Sequence, residues 1–137
     1  MALRVIINKL PLPDTNMTAK VFITEGDTLL LLLRKKDQAH PKKWDLPGGH
    51  LVIGETWIDG AIRETLEETN LRVSDLSLLK SSGRHRFYTV GSWSGEIYPS
   101  DKLPEHDDWK WFTKGELEAL TNISDNYKEM AIEVLSK

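Results

Sequence analysis

The stretch from Gly48 to Leu71, GGHLVIGETWIDGAIRETLEETNL, narrows most what this chain can fold into. A glycine-rich turn runs into a segment with helical spacing. Ile58, Ala61, Ile62, Thr65, Leu66 and Thr69 recur at intervals of three and four, which predicts a buried stripe with the glutamates on its flank. Thr56 is the expected N-cap, with Asp59 three residues on approximating a capping box. Gly60 inside such a helix costs ~1 kcal/mol against alanine, which points to a close neighbouring backbone.

The charges on this helix need a reason. Glu64 shares a face with Glu67 and Glu68, and like charges at that spacing cost roughly 0.2–0.5 kcal/mol per pair. Glu67 and Glu68 also sit near the C-terminal end, where the helix dipole disfavours negative charge. An oxygen-binding cation such as Mg²⁺ would relieve both costs, because it takes carboxylates together with substrate phosphates. On the carboxylates alone, such a cluster is more often a solvated acidic face than a ligand set.

The frame around the glutamates decides between the two. Gly49, Glu55, Arg63, Glu64, Glu67, Glu68 and Leu71 follow the order and spacing of the Nudix box, G-x5-E-x7-R-E-U-x-E-E-x-G-U with U aliphatic. The chain therefore resembles the Nudix hydrolase family, and Trp44-Asp45-Leu46-Pro47-Gly48 looks like the usual lead-in. Two positions depart from the pattern. Thr65 stands where an aliphatic residue is usual, and its hydroxyl needs a partner, for which a carbonyl one turn back is the expected one. Asn70 stands where the last glycine is usual, and asparagine is the next most acceptable residue for a left-handed helix end.

The resemblance implies an α/β fold, an α/β/α sandwich with a mixed sheet between helices, in one domain spanning residues 1–137. It implies hydrolysis of the diphosphate bond of a nucleoside diphosphate linked to another group, with a nucleoside triphosphate or related nucleotide as first choice. Nucleotide sugars, ADP-ribose and dinucleoside polyphosphates are the alternatives, as is a catalytically inert binding module. The implied ligands of Mg²⁺ or Mn²⁺ are the Gly48 carbonyl, Glu64, Glu67 and Glu68, with Glu105 as a further candidate. Glu55, Glu67 and Glu105 are candidates for the general base, and Arg63 orients a ligand through Glu67. Arg34, Gly49, Arg86 and Tyr88 are candidate substrate contacts; a basic strand end or a strand tyrosine is more often simply structural. Tyr88 lies at a distance beyond the box where family members that cut dinucleoside polyphosphates often carry a tyrosine. A relative of isopentenyl-diphosphate isomerase would be expected to use a cysteine, and this chain has none.

Composition bounds the remaining classes. A net charge of −3 gives no support for a nucleic-acid partner, and the longest leucine run, Leu29 to Leu33, is far too short to cross a bilayer. The absence of cysteine excludes disulfides and thiolate chemistry and suits a cytoplasmic enzyme. The oligomeric state is left open, a homodimer included.

Along the rest of the chain, Met1 to Lys9 reads as an edge strand, Met17 to Thr24 as a strand, and Glu25-Gly26-Asp27 as a hairpin turn into Thr28–Arg34. The unbroken leucines of that last strand predict burial on both faces. Asp37 to Lys43 reads as a polar loop. Strands are expected over Leu71–Leu79 and Arg84–Val90, with Gly83 and Gly91 at the ends of the second, and from Gly95 to Tyr98. Pro104 to Asp108 reads as a loop before a short strand carrying Trp109 and Trp111. Helices are expected over Thr113–Leu120 and Ser124–Leu135, the last burying Tyr127, Met130, Ala131, Val134 and Leu135.

Overall fold

The computed structural model describes residues 13–35 and 42–137. The expected edge strand Met1–Lys9 and most of the polar loop before Trp44 lie outside these residues. Among these residues, eight strands form two four-stranded sheets. The first has the order β5-β1-β7-β6, built from β1 (Asp14–Phe22), β5 (Gly48–Val52), β6 (Arg72–Ser82) and β7 (His85–Ser94). It is mixed, because β1 runs parallel to β7 and antiparallel to β5. The second joins β2 (Thr24–Glu25), β3 (Thr28–Arg34), β4 (Trp44–Asp45) and β8 (His106–Thr113), all antiparallel to β3.

Strand alternation sends side chains into two separate cores. Ala19, Val21, Ile23, Leu30, Leu32 and Tyr88 pack with Leu51 and with Ala61 of helix α1 (Trp57–Thr69). Phe22, Leu29, Leu31, Phe87 and Phe112 pack on the other side, with Leu117 of α2 (Lys114–Ala119) and with Met130 and Ala131 of α3 (Asp125–Leu135). The helices thus sandwich the strands, as the α/β/α expectation requires. Leu29 through Leu32 are completely buried, each neighbour facing the opposite core. The Glu25–Asp27 hairpin also forms, with Thr24 paired to Leu29.

Helix α1 begins and ends on the expected residues. The Thr56 hydroxyl accepts from the Asp59 amide at 3.1 Å, and Asn70 closes the helix at φ 72° with its amide bonded to the Leu66 carbonyl at 2.9 Å. Its buried face is rotated from the expected one. Ile58 is 42% exposed, whereas Glu68 is only 5% exposed and lies in the buried stripe with Ala61 and Thr65. Gly60 is explained by a side chain instead of a backbone, since a Cβ there would come within 2.8 Å of Leu51 Cγ. The Thr65 hydroxyl is fully buried and finds no partner among the described residues, contrary to expectation. Its own carbonyl is the acceptor, taking the Thr69 hydroxyl at 2.6 Å.

Other boundaries also move: the strand expected over Met17–Thr24 spans Asp14–Phe22, and that expected over Leu71–Leu79 spans Arg72–Ser82. Strand β7 continues through Gly91 to Ser94, paired with β6 as far as Arg72, and at Gly91 the Asp75 carboxylate takes the space a Cβ would fill. Gly95 to Tyr98 is then irregular chain, where a strand was expected. His106 to Asp108 belongs to β8 and not to a loop, the register placing His106 opposite Arg34.

Candidate active site

Gly48 and Gly49 sit at the start of β5, against β1 and beneath the last turns of α1. Lys20 pairs with Gly48 and Ala19 with Gly49 across the strands. Gly48 adopts φ +124°, and a Cβ there would lie 2.1 Å from the Ala19 carbonyl oxygen, so only glycine fits. At Gly49 the space belongs to Glu64, whose Oε2 would be 2.7 Å from an added Cβ. Glu68 reaches the same turn and accepts from the Gly48 amide at 2.8 Å.

Arg63 organises the other side of the helix. Its Nε and Nη2 both bind the Glu55 carboxylate, at 2.8 and 3.0 Å. Nη1 donates to Glu64 and to Glu67, each at 2.8 Å, and Nη2 also donates to the His50 carbonyl at 3.0 Å. The expected pairing with Glu67 is one contact among several. Glu55, only 4% exposed in its side chain, further accepts from the Val52 amide at 3.1 Å. Its hydrogen bonds to Glu55 hold the guanidinium pKa well above its ordinary value.

An open cavity of about 910 Å³ lies beside the glycine turn. Gly48, Gly49, Glu64, Glu68, Glu105 and Arg34 of the sequence candidates line it. Glu55, Arg63 and Glu67 are not in its lining, and Glu67 is 57% exposed in its side chain. Arg86 and Tyr88 do not reach it either. Tyr88 is 4% exposed in the core beneath α1, and the Arg86 guanidinium stacks 4.6 Å over the Trp57 ring. The β7 residues that do line the cavity are His85 and Phe87, one position away on the opposite face of the strand.

Sequence reasoning also missed Lys20, Asp45, His106 and Tyr127, all in the lining. Lys20 was legible as a charge amid an apolar alternation, but its direction was not. Its ammonium donates to Asp45 Oδ2 at 3.3 Å, the Leu46 carbonyl at 3.2 Å and the Gly48 carbonyl at 3.4 Å. Burial would lower its pKa, yet Asp45, Glu68 and Tyr127 keep it above the ordinary lysine value.

Burial dominates the acids. It pushes Glu68 up to about 8 against the opposing pull of Lys20 and the Gly48 amide. It also raises Glu64, with Arg63 opposing and Glu67 and Glu105 reinforcing. His106 goes the other way, held down at about 4 by burial, with Lys20, Arg34 and Lys35 adding to the effect. Its ring is therefore neutral at physiological pH, with Nδ1 buried and unpartnered among the described residues.

The donor set fits a hard divalent cation in its chemistry. Glu64, Glu68 and Gly48 line the same cavity, and burial raises both acids although Arg63 and Lys20 oppose it. Among the described residues, no three acidic or histidine side chains already converge on a single point.

Comparison with known proteins gives the family. The NUDIX domain family model matches residues 14–133, and the chain belongs to that family. Its class is that of the Nudix pyrophosphohydrolases. The chain is 34% identical over 100 residues to the bis(5'-nucleosyl)-tetraphosphatase [asymmetrical] of Caenorhabditis elegans, covering 66% of this chain and 70% of that protein. It is 31% identical over 104 residues to a Mycobacterium tuberculosis protein named "Putative 8-oxo-dGTP diphosphatase 2", covering 69% and 71% respectively. A NUDIX-family hydrolase of Clostridium perfringens superposes with a TM-score of 0.68 at 26% identity, over 88% of this chain and 95% of that one. Nudix hydrolases generally use divalent metal ions. Among the described residues, no helix is long and apolar enough to cross a membrane.

Proposed function

We propose that the protein hydrolyses a phosphoanhydride bond in a nucleoside polyphosphate, a nucleoside triphosphate being the first choice, with Mg²⁺ or Mn²⁺ held by Gly48, Glu64 and Glu68. The observation that carries this reading is the shared cavity. One wall holds the glycine turn with Glu64, Glu68 and Glu105, and the same space is lined by Arg34, Lys35 and Lys43 and by Trp44, Phe87 and Tyr127. Cations suit a polyphosphate, and aromatic side chains suit a base.

A divalent ion bound at those oxygens would neutralise phosphate charge and acidify water. The chain's own residues do the rest. Arg34 and Lys35 attract the polyphosphate, and the bare backbone at Gly49 leaves Glu64 room beside the turn. Glu105, in the cavity, takes the proton of the attacking water, whereas Glu55 is clamped by Arg63 and Glu67 lies outside the lining, paired with Arg63. Arg63 is a positioning residue that fixes Glu64 and Glu67 on the helix.

A dinucleoside polyphosphate is the second reading, favoured by the name of the C. elegans relative. A panel of nucleoside triphosphates, dinucleoside tetraphosphates, nucleotide sugars and ADP-ribose, assayed with Mg²⁺ and again with EDTA, tests both. The expected result is Mg²⁺-dependent release of a nucleoside monophosphate, together with pyrophosphate from a triphosphate or a nucleoside triphosphate from a tetraphosphate. No turnover of any member would overturn the proposal.

A further inference from the structure

Lys20 is an unexpected neighbour for a turn that binds a cation. It lies in the middle of β1 between the fully buried Ala19 and Val21, and its side chain is only 12% exposed. Its acceptors among the described residues, Asp45 Oδ2 and the carbonyls of Leu46 and Gly48, belong to the segment leading into the glycine turn. Glu68 meets the same glycine from the other end, accepting its amide. An ammonium and a carboxylate thus hold Gly48 by its two backbone groups, and each charge acts on the other.

We propose that Lys20 is a resident cation of the metal site, which steadies the acidic wall when no ion is bound and thereby weakens the affinity for the divalent ion. This rests on the proposed reading of Gly48, Glu64 and Glu68 as the ion's ligands. The argument is electrostatic. A fixed positive charge hydrogen-bonded to one of the ligand oxygens opposes the entry of a second cation at that oxygen. The bond to Gly48, at 3.4 Å the longest of the three, is the one the ion would displace. The bonds to Asp45 and Leu46 would keep the ammonium paired. The consequence is an ion that exchanges readily, with an acidic wall that stays in place between bound states.

The test is Mn²⁺ binding, followed by electron paramagnetic resonance of the free ion, together with thermal melting in EDTA. Wild-type protein is compared with Lys20→Gln, which removes the charge but keeps a donor, with Lys20→Arg, which keeps the charge, and with Glu68→Gln. Lys20→Met, which keeps most of the length without charge or donor, is measured in parallel in case the glutamine variant does not fold. The expected result is that Glu68→Gln abolishes the site, Lys20→Arg stays near wild type, and Lys20→Gln or Lys20→Met binds Mn²⁺ roughly tenfold more tightly. The neutral variants also melt at a lower temperature in EDTA and gain more from saturating Mn²⁺. If Mn²⁺ binding depends on Glu68 but is unchanged or weakened in the neutral variants, Lys20 only pins the turn and the proposal fails while the metal site stands. If Glu68→Gln leaves Mn²⁺ binding intact, the ligand assignment itself fails and takes this proposal with it.

Discussion

The Glu68 carboxylate accepts the Gly48 amide at 2.8 Å and so ties the last turn of α1 to the first residue of β5. The bond holds a 5% exposed acid in contact with backbone that no side chain shields. This places an acid whose charged form burial disfavours at the point where the phosphate chemistry is proposed.

That cost gives a pH dependence to the metal-free protein. Glu68 is pushed from 4.5 up to about 8, so between those values the folded chain keeps a proton that the unfolded chain releases, and stability falls as pH rises. His106 is pushed from 6.5 down to about 4, so stability also falls as pH drops through that window. The two effects oppose each other between 4.5 and 6.5, and of the two Glu68 acts alone above 6.5. Denaturant unfolding in EDTA should therefore lose about 2 kcal/mol between pH 6.5 and 8, with the loss absent in Glu68→Gln. Equal or rising stability over that interval would contradict the burial argument.

The adjacent glycines should fail differently when given a methyl group. In Gly48→Ala the new Cβ meets the backbone oxygen of Ala19 at 2.1 Å, at a backbone angle that alanine resists. A destabilisation of about 3 kcal/mol or more is expected. In Gly49→Ala the Cβ meets only the flexible end of Glu64, at 2.7 Å. Melting temperature should then hardly change while turnover falls, as paired thermal and kinetic measurements on the two variants would show.

Thr65 offers a stabilising change. Its hydroxyl is completely buried without a partner among the described residues, and a buried unsatisfied polar group costs about 1–3 kcal/mol. Thr65→Val keeps the branched shape and should raise the urea midpoint by an amount worth about 1 kcal/mol. A lower midpoint would mean that the hydroxyl has a partner after all.

Arg63 carries the converse prediction. Removing it leaves Glu55 buried at 4% side-chain exposure without its bidentate partner. Arg63→Ala should cost about 3–5 kcal/mol in denaturant unfolding, the range for breaking a buried pair from one side. Arg63→Met combined with Glu55→Gln should recover part of that loss.

The fold was legible because its strongest signals are local. The leucines of β3, the Thr56 cap and the Asn70 helix end each act through near neighbours, and each formed as expected. The cavity was less legible because its lining depends on register between distant strands. Lys20 stands opposite Phe87, and Val21 opposite Tyr88, so the parallel pairing of β1 with β7 decides which β7 residues face the ligand space. A strand's own sequence shows that alternate residues share a face, but not which face looks at the site. The sequence candidates Arg86 and Tyr88 therefore lie outside the cavity that His85 and Phe87 line. Glu68 is buried although its charge argues for the flank, because helical spacing also sets it beside the buried stripe.

The central claim is that Gly48, Glu64 and Glu68 bind the ion that makes phosphoanhydride hydrolysis possible. Glu68→Gln keeps the shape and a hydrogen-bond acceptor for the Gly48 amide but removes the charge, so turnover of the best nucleotide in saturating Mg²⁺ is the direct measurement. The account predicts a fall in kcat of at least about a hundredfold, or roughly 2.7 kcal/mol at the transition state, with the fold intact by circular dichroism. Full Mg²⁺-dependent activity in the folded variant would contradict it.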